Sequence, residues 1–193
     1  RLAILGDIGS GKSFVAKSFG YPVFNADFEV GKLYQKDKKI FKKLNKVLPQ
    51  YITSFPVQKK ALSEAILEDK RNLSKIIKIV HLEIRKKMKI FLRKNENKKM
   101  VVLDIPLLLE NKIYLKDDIL IFVQAKKKDI FKRLKKRKNF NKKLYNVFKK
   151  IQLTLYLKKK KSHFIIKNDF TKKTINKNIK IILSEILQWK KLF

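Results

Sequence analysis

The apolar positions of the chain follow two alternating rhythms. Short apolar runs occur at residues 2–5, 23–24, 100–105, 119–123 and 164–166, the third interrupted by Asp104. Such runs read as buried strands. Between them the apolar spacing lengthens to that of helices. Residues 12–19 read as a helix stopped by Gly20 and Pro22. Residues 28–95 read as helical with breaks near Pro49 and Pro56, and Ile76, Ile77, Val80, Ile84, Met88 and Phe91 form one apolar stripe within them. Residues 127–137, 144–157 and 172–189 read as further helices, with 138–143 a basic loop. Strands alternating with helices predict an α/β fold with a parallel sheet, in which the run at 100–105 is central.

Composition changes this picture little, with one exception. A chain of 193 residues that is 45% hydrophobic suits one domain with a sizeable core and a small insert or lid. There is no cysteine, which excludes disulfides, thiolate zinc sites and cysteine nucleophiles. No apolar run approaches the roughly 18 residues of a membrane span. The first residues read as a strand and not as a signal peptide. A cytoplasmic location follows by default. Arg1 stands where an initiator Met is usual, consistent with a few residues upstream. The exception is a net charge of +34. Such a field attracts polyanions. Yet Lys, Asn, Ile and Phe, all with A/T-rich codons, dominate, and the lysines are spread along the chain. Drift of surface positions toward lysine explains the excess better than a nucleic-acid partner does. Only six of the 50 basic residues are arginine, and these mark positions where a bidentate fork is needed.

The chemistry begins where the first run ends. Gly6-Asp7-Ile8-Gly9-Ser10-Gly11-Lys12-Ser13 fits the pattern G-x-x-x-x-G-K-[ST] in full. Glycines let successive backbone N–H groups turn toward phosphate oxygens, and the following helix adds its positive end. Lys12 would reach the β- and γ-phosphates of ATP, and the Ser13 hydroxyl would ligate Mg²⁺. Three of the five glycines fall in these eight residues. The loop follows a strand and opens a helix, as the motif requires. The expected nucleotide contacts are Gly6, Ile8, Gly9, Ser10, Gly11, Lys12, Ser13 and Phe14.

A kinase also needs a carboxylate near the acceptor hydroxyl and one near the metal. Asp27 follows the second strand, at the sheet edge where such folds bind ligands. It reads either as that base or as a helix N-cap before Phe28. Asp104 ends the third run and reads as a second metal ligand beside Ser13, or as a buried structural acid. Arg133 and Arg137, four apart, share a helix face and read as a phosphate-closing lid or as solvated charges. Lys158–Lys161 reads as a solvated strip or as a phosphate contact. His81 and His163 have mainly structural readings.

These residues together resemble the dephospho-CoA kinase family. The likeness rests on Gly6–Ser13, then Asn25-Ala26-Asp27, then Asp104-Ile105-Pro106-Leu107-Leu108-Leu109-Glu110, then Arg133, Arg137, Gln152 and Asn168, and spans about residues 2–168. The loop alone is generic, whereas the order and spacing of the later motifs are specific. The resemblance implies a three-layer P-loop fold with a five-stranded parallel sheet, a helical substrate-binding insert near 28–98 and a lid near 133–157. It implies phosphorylation of the ribose 3′-hydroxyl of dephospho-CoA by ATP and Mg²⁺, the last step of coenzyme A synthesis. Lys12, Asp27, Arg133 and Arg137 would be catalytic. Asp27, Lys59, His81, Pro106, Leu107 and Glu110 would meet the acceptor. The chain departs from the family pattern at Asp7, Phe14, Asn25, Lys59 and Leu82, which bears on substrate affinity more than on reaction class.

Two rivals differ from this reading. Another small-molecule P-loop kinase would lack the D-x-P-L-L-x-E motif. A basic nucleic-acid-binding ATPase would show affinity that falls steeply with salt. The sequence carries no signature of an oligomeric state.

Overall fold

All five apolar runs form strands. They are β1 (Leu2–Gly6), β2 (Val23–Asn25), β3 (Val102–Asp104), β4 (Ile119–Gln124) and β5 (Phe164–Lys167). The computed structural model describes residues 1–189. The strands build one sheet in the order β2-β3-β1-β4-β5. β1 runs parallel to β3 and β4, and β4 runs parallel to β5. The fold is a parallel α/β sheet flanked by helices. β1 is the middle strand. The run at 100–105, expected to be central, supplies instead the short interior strand β3 beside it.

By contacts the described residues divide into two compact units: 1–24 with 98–140 and 152–189, and 25–97 with 141–151. The first holds the body of the sheet with α1 (Lys12–Ser18), α6 (Lys127–Lys135), α8 (Leu155–Lys160) and α9 (Lys172–Trp189). One core cluster joins Leu2, Ile4, Val102, Ile121, Val123 and Ile166 of the strands to Val15 and Ala16 of α1 and Ile175, Ile179, Ile182 and Ile186 of α9. The four isoleucines of α9 recur at helical spacing, so one face of that helix is apolar. Burying each such side chain stabilises the fold by about 1.5–3 kcal/mol. Arg1 uses its fork on Asp118, with Nε and Nη2 donating to the two carboxylate oxygens at 2.5 and 2.6 Å.

The second unit is helical, with α2 (Ala26–Lys36), α3 (Lys38–Val47), α4 (Lys59–Glu68), α5 (Arg71–Lys94) and α7 (Lys142–Lys150). α5 is its hub: α2, α3 and α4 all pack against it. Ile76, Val80, Ile84 and Met88 are buried along its stripe, while Ile77 and Phe91 are only half-buried. The expected break near Pro49 and Pro56 lies between α3 and α4. Two further breaks come from aspartates. Asp37 ends α2 and caps α3, accepting from Lys39 N and Ile40 N at 2.9 and 3.1 Å. Asp69 stands between α4 and α5 and accepts from Arg71 N at 2.8 Å.

Two expected helices are corrected. Residues 144–157 are not one helix: α7 ends at Lys150, and Thr154 caps α8 by accepting from Leu157 N. The helix expected to reach residue 137 stops at Lys135, so Arg133 lies in its last turn and Arg137 in the bend beyond it. The two arginines therefore do not share a helix face. The segment 133–157 is itself divided between the two units.

Candidate functional site

The loop between β1 and α1 is held from several sides within the first unit. Gly11 caps α1 with φ 92°, a left-handed conformation open to glycine at little cost. A β-carbon there would run into Asn168 Nδ2 and approach Phe170 Cε1 to 3.4 Å. Gly9, with φ 83°, lies as close on its own side, and a β-carbon would come within 3.0 Å of Leu134 and 3.1 Å of Ile130 on α6. Asn168, buried at the end of β5, donates Nδ2–H to Ser10 O at 2.7 Å and accepts Phe170 N–H through Oδ1 at 2.7 Å. The loop is thus pinned from α6 and from the segment after β5.

Lys12 Nζ folds back over the loop, donating to Asp7 O at 2.8 Å and to Gly6 O at 3.4 Å. Ser13 is exposed in the first turn of α1. Ser10 Oγ is fully buried and has no hydrogen-bond partner among the described residues. Phe14 presents 46% of its surface beside Ser13. Asp7, which stands where the family has glycine, is buried and spends Oδ1 on its neighbour Ile8 N at 2.7 Å. The carboxylate thereby stabilises the loop backbone.

Asp104 is buried at the carboxyl end of β3. Ala3 pairs with Leu103, so Asp104 stands beside the stretch of β1 that runs into Gly6. A water-sized niche beyond the next residue, Ile105, is lined among others by Gly6, Lys12, Pro106, Leu107, Glu110 and Lys158. The P-L-L-x-E turn expected to meet the acceptor therefore borders the phosphate loop. Leu107 holds φ 59°, unusual for a residue with a side chain. The Glu110 carboxylate is already engaged. Its Oε1 accepts Leu153 N–H at 2.9 Å and meets Lys158 Nζ at 2.9 Å. Lys158 also donates to Gln152 Oε1 at 3.1 Å. The expected solvated strip at 158–161 is thus wrong at its first residue, because Lys158 is 3% exposed.

Arg133 is exposed, with its guanidinium 4.4 Å from the centre of the Phe170 ring. Phe170 borders Gly11, so this stacking holds Arg133 close to the phosphate loop. Arg137 is exposed, with its N–H bonded to Leu134 O at 3.0 Å.

The remaining expected residues lie in the second unit. Asp27 is exposed in the first turn of α2. It is not the cap: Asn25 caps the helix, its side chain accepting Phe28 N–H at 2.7 Å. Burial, and then the charge of Asp27, push the Tyr34 hydroxyl up to about 12, so it stays a neutral phenol. Lys59 is exposed at the start of α4. His81 is half-buried on α5, and burial, helped by Arg85, lowers its pKa. At neutral pH it therefore offers a hydrogen bond and not a charge. His163 has the structural role expected: its Nδ1 accepts Leu120 N–H at 2.9 Å between β4 and β5.

Sequence reasoning named Asn168 and Gln152 only as parts of a likeness, and missed Lys158 and Phe170 as site residues. The signal for Lys158 was Gln152 six positions earlier, with Glu110 ending the motif. No local pattern marks Phe170.

Comparison with known proteins agrees with this geometry. The sequence model of the dephospho-CoA kinase family matches residues 1–174. A protein named dephospho-CoA kinase from Wolbachia pipientis wMel is 34% identical over 190 residues, covering 96% of this chain and 97% of that protein. Among solved structures, TT1252 from Thermus thermophilus superposes with a TM-score of 0.72 at 22% identity, over 95% of this chain and 96% of that one. The dephospho-CoA kinase from Campylobacter jejuni does so with a TM-score of 0.62 at 21% identity, over 96% of each chain. The two structures establish the shared fold, and the near-complete sequence matches establish that the chain belongs to the dephospho-CoA kinase family.

Proposed function

We propose that this chain transfers the γ-phosphoryl group of ATP to the ribose 3′-hydroxyl of dephospho-CoA, giving CoA and ADP. The observation that carries the reading is the pinned phosphate loop bordered by the P-L-L-x-E turn, in a chain of this family. The loop from Gly6 to Ser13, with Ile8 and Phe14 alongside, binds the triphosphate through backbone N–H groups. Lys12 exchanges its two loop carbonyls for phosphate oxygens and offsets charge on the transferring group. Ser13 and Asp104 offer hard oxygen donors, which fit Mg²⁺. When bound, that ion would neutralise phosphate charge and orient the γ-phosphate.

On the acceptor side Asp27 takes the hydroxyl proton as the new O–P bond forms. The bond between the γ-phosphorus and its bridging oxygen breaks, and ADP leaves with that oxygen. Arg133, stacked on Phe170, and Arg137 stabilise the charge that spreads over the transferring oxygens. Lys59, His81, Pro106 and Leu107 hold the acceptor, while Glu110 braces the turn that carries Pro106 and Leu107. The reading implies a cytoplasmic enzyme. No helix among the described residues is long and apolar enough to cross a membrane.

The test is ADP release with Mg²⁺-ATP alone, with dephospho-CoA, and with a panel of nucleosides and nucleotides. Dephospho-CoA should stimulate release strongly and the panel weakly. Stimulation by a nucleoside and not by dephospho-CoA would replace the acceptor and keep the reaction class.

A further inference from the structure

Lysine is spread over the whole surface of this protein, yet among the described residues Lys158 is the one lysine that is buried. Codon drift does not account for it, since burying an ammonium carries a desolvation penalty that only good partners offset. Those partners join three places in the chain. Lys158 Nζ meets Glu110 Oε1 at 2.9 Å and donates to Gln152 Oε1 at 3.1 Å, while Glu110 Oε1 also accepts Leu153 N–H at 2.9 Å. Glu110 closes the turn after β3. Gln152 and Leu153 precede α8, and Lys158 lies inside it. The knot therefore fastens the 106–110 turn to α8.

The turn needs fastening, because Leu107 holds φ 59°, a conformation that persists only where the surroundings over-determine it. The turn, Gln152 and Lys158 line the same niche as Gly6 and Lys12. A shift of the turn would change the wall beside the Lys12 ammonium. We propose that Lys158 is a positioning residue for phosphoryl transfer, acting through Glu110 and Gln152 to hold the 106–110 turn against the Gly6 and Lys12 end of the phosphate loop. This inference rests on the kinase reading above.

The test compares kcat, KM for ATP and dephospho-CoA, and thermal midpoint in Lys158→Met, Glu110→Gln and the double variant Glu110→Leu/Lys158→Met. Misplacing a reacting group by about an ångström can cost on the order of 10²-fold in rate. The two single variants should lose about 10- to 100-fold in kcat while KM for ATP stays within about twofold. An apolar pair can replace a buried ion pair without loss of stability. The double variant, which still leaves Leu153 N–H without its acceptor, should therefore regain part of the thermal midpoint lost by the single variants but not kcat. Recovery of kcat together with the midpoint would overturn the proposal and leave only a packing role. So would single variants with unchanged kcat. If Lys158→Met does not fold, Glu110→Gln, which keeps the side-chain volume and a carbonyl acceptor, decides by the same split between kcat and KM. A wild-type chain inactive on dephospho-CoA would overturn the kinase reading and this inference together, whereas failure of the inference alone appears only in the variants.

Discussion

The phosphate loop and the first turn of α2 carry the two halves of the proposed reaction, and they are built in opposite ways. The loop works through backbone, so its shape must be fixed: glycines take the left-handed turns, Asn168 holds Ser10 O at 2.7 Å, and α6 closes on Gly9. The start of α2 works through a side chain. Asp27 is exposed, and the neighbouring Asn25 caps the helix independently of it. In the proposed reaction, phosphate binding would rest on a backbone cradle, while acceptor activation would rest on the one carboxylate of Asp27.

Substitutions on each side can break or sharpen that contrast. The largest effect should come from Asp27→Asn. The cap is Asn25, so the change keeps that cap and removes the proposed proton acceptor. Turnover should fall by about 10²–10⁴ with ATP affinity nearly unchanged. The companion Asn25→Asp keeps a capping oxygen and should leave activity intact. A protein indifferent to the first change and inactivated by the second would place the working carboxylate elsewhere. On the loop side, Lys12→Ala should cost roughly 10²–10³ in turnover with the fold preserved, as judged by circular dichroism. Near-wild-type turnover would remove the loop from the chemistry.

A smaller effect tests the cradle itself. Asn168→Ala strands the buried Ser10 carbonyl, which costs about 1–3 kcal/mol of stability. The thermal midpoint should drop and KM for ATP should rise, with less change in KM for the acceptor. A raised acceptor KM alone would contradict the cradle's assignment. The smallest effect concerns pH. The pKa of His81 is lowered from 6.5, chiefly by burial, so the unfolded chain takes up its proton first as pH falls. Stability should be unaffected above about pH 6.5 and should decline as pH drops below that value toward the lower folded pKa. His81→Gln should flatten this part of the profile in urea titrations. An unchanged slope would assign it to other groups.

How much of this was legible in the sequence followed the same divide. The phosphate loop was readable residue by residue, because backbone curvature demands glycines at fixed local spacing. β1, β3 and most of β4 were readable because they are buried on both faces, whereas β5 alternates buried and exposed positions and was readable from its apolar run alone. The breaks at Asp37 and Asp69 were missed although each aspartate is a capping signal, since the lysine-rich helical rhythm continues across them. The helix end at Lys135 was missed for want of a glycine or proline stop, and with it the separation of Arg133 from Arg137. Lys158 was hidden among four consecutive lysines, and only the long-range contact with Glu110 distinguishes it. Arg133 stacking on Phe170 depends in the same way on where β5 ends relative to α6.

The central claim is that this chain phosphorylates the 3′-hydroxyl of dephospho-CoA. The most direct measurement is product analysis after incubation with Mg²⁺-ATP and dephospho-CoA, by mass spectrometry and phosphorus NMR. The account predicts stoichiometric ADP and an acceptor that has gained one phosphate as a ribose 3′-monoester, identical to CoA. ADP formed together with free inorganic phosphate and unmodified dephospho-CoA would contradict it.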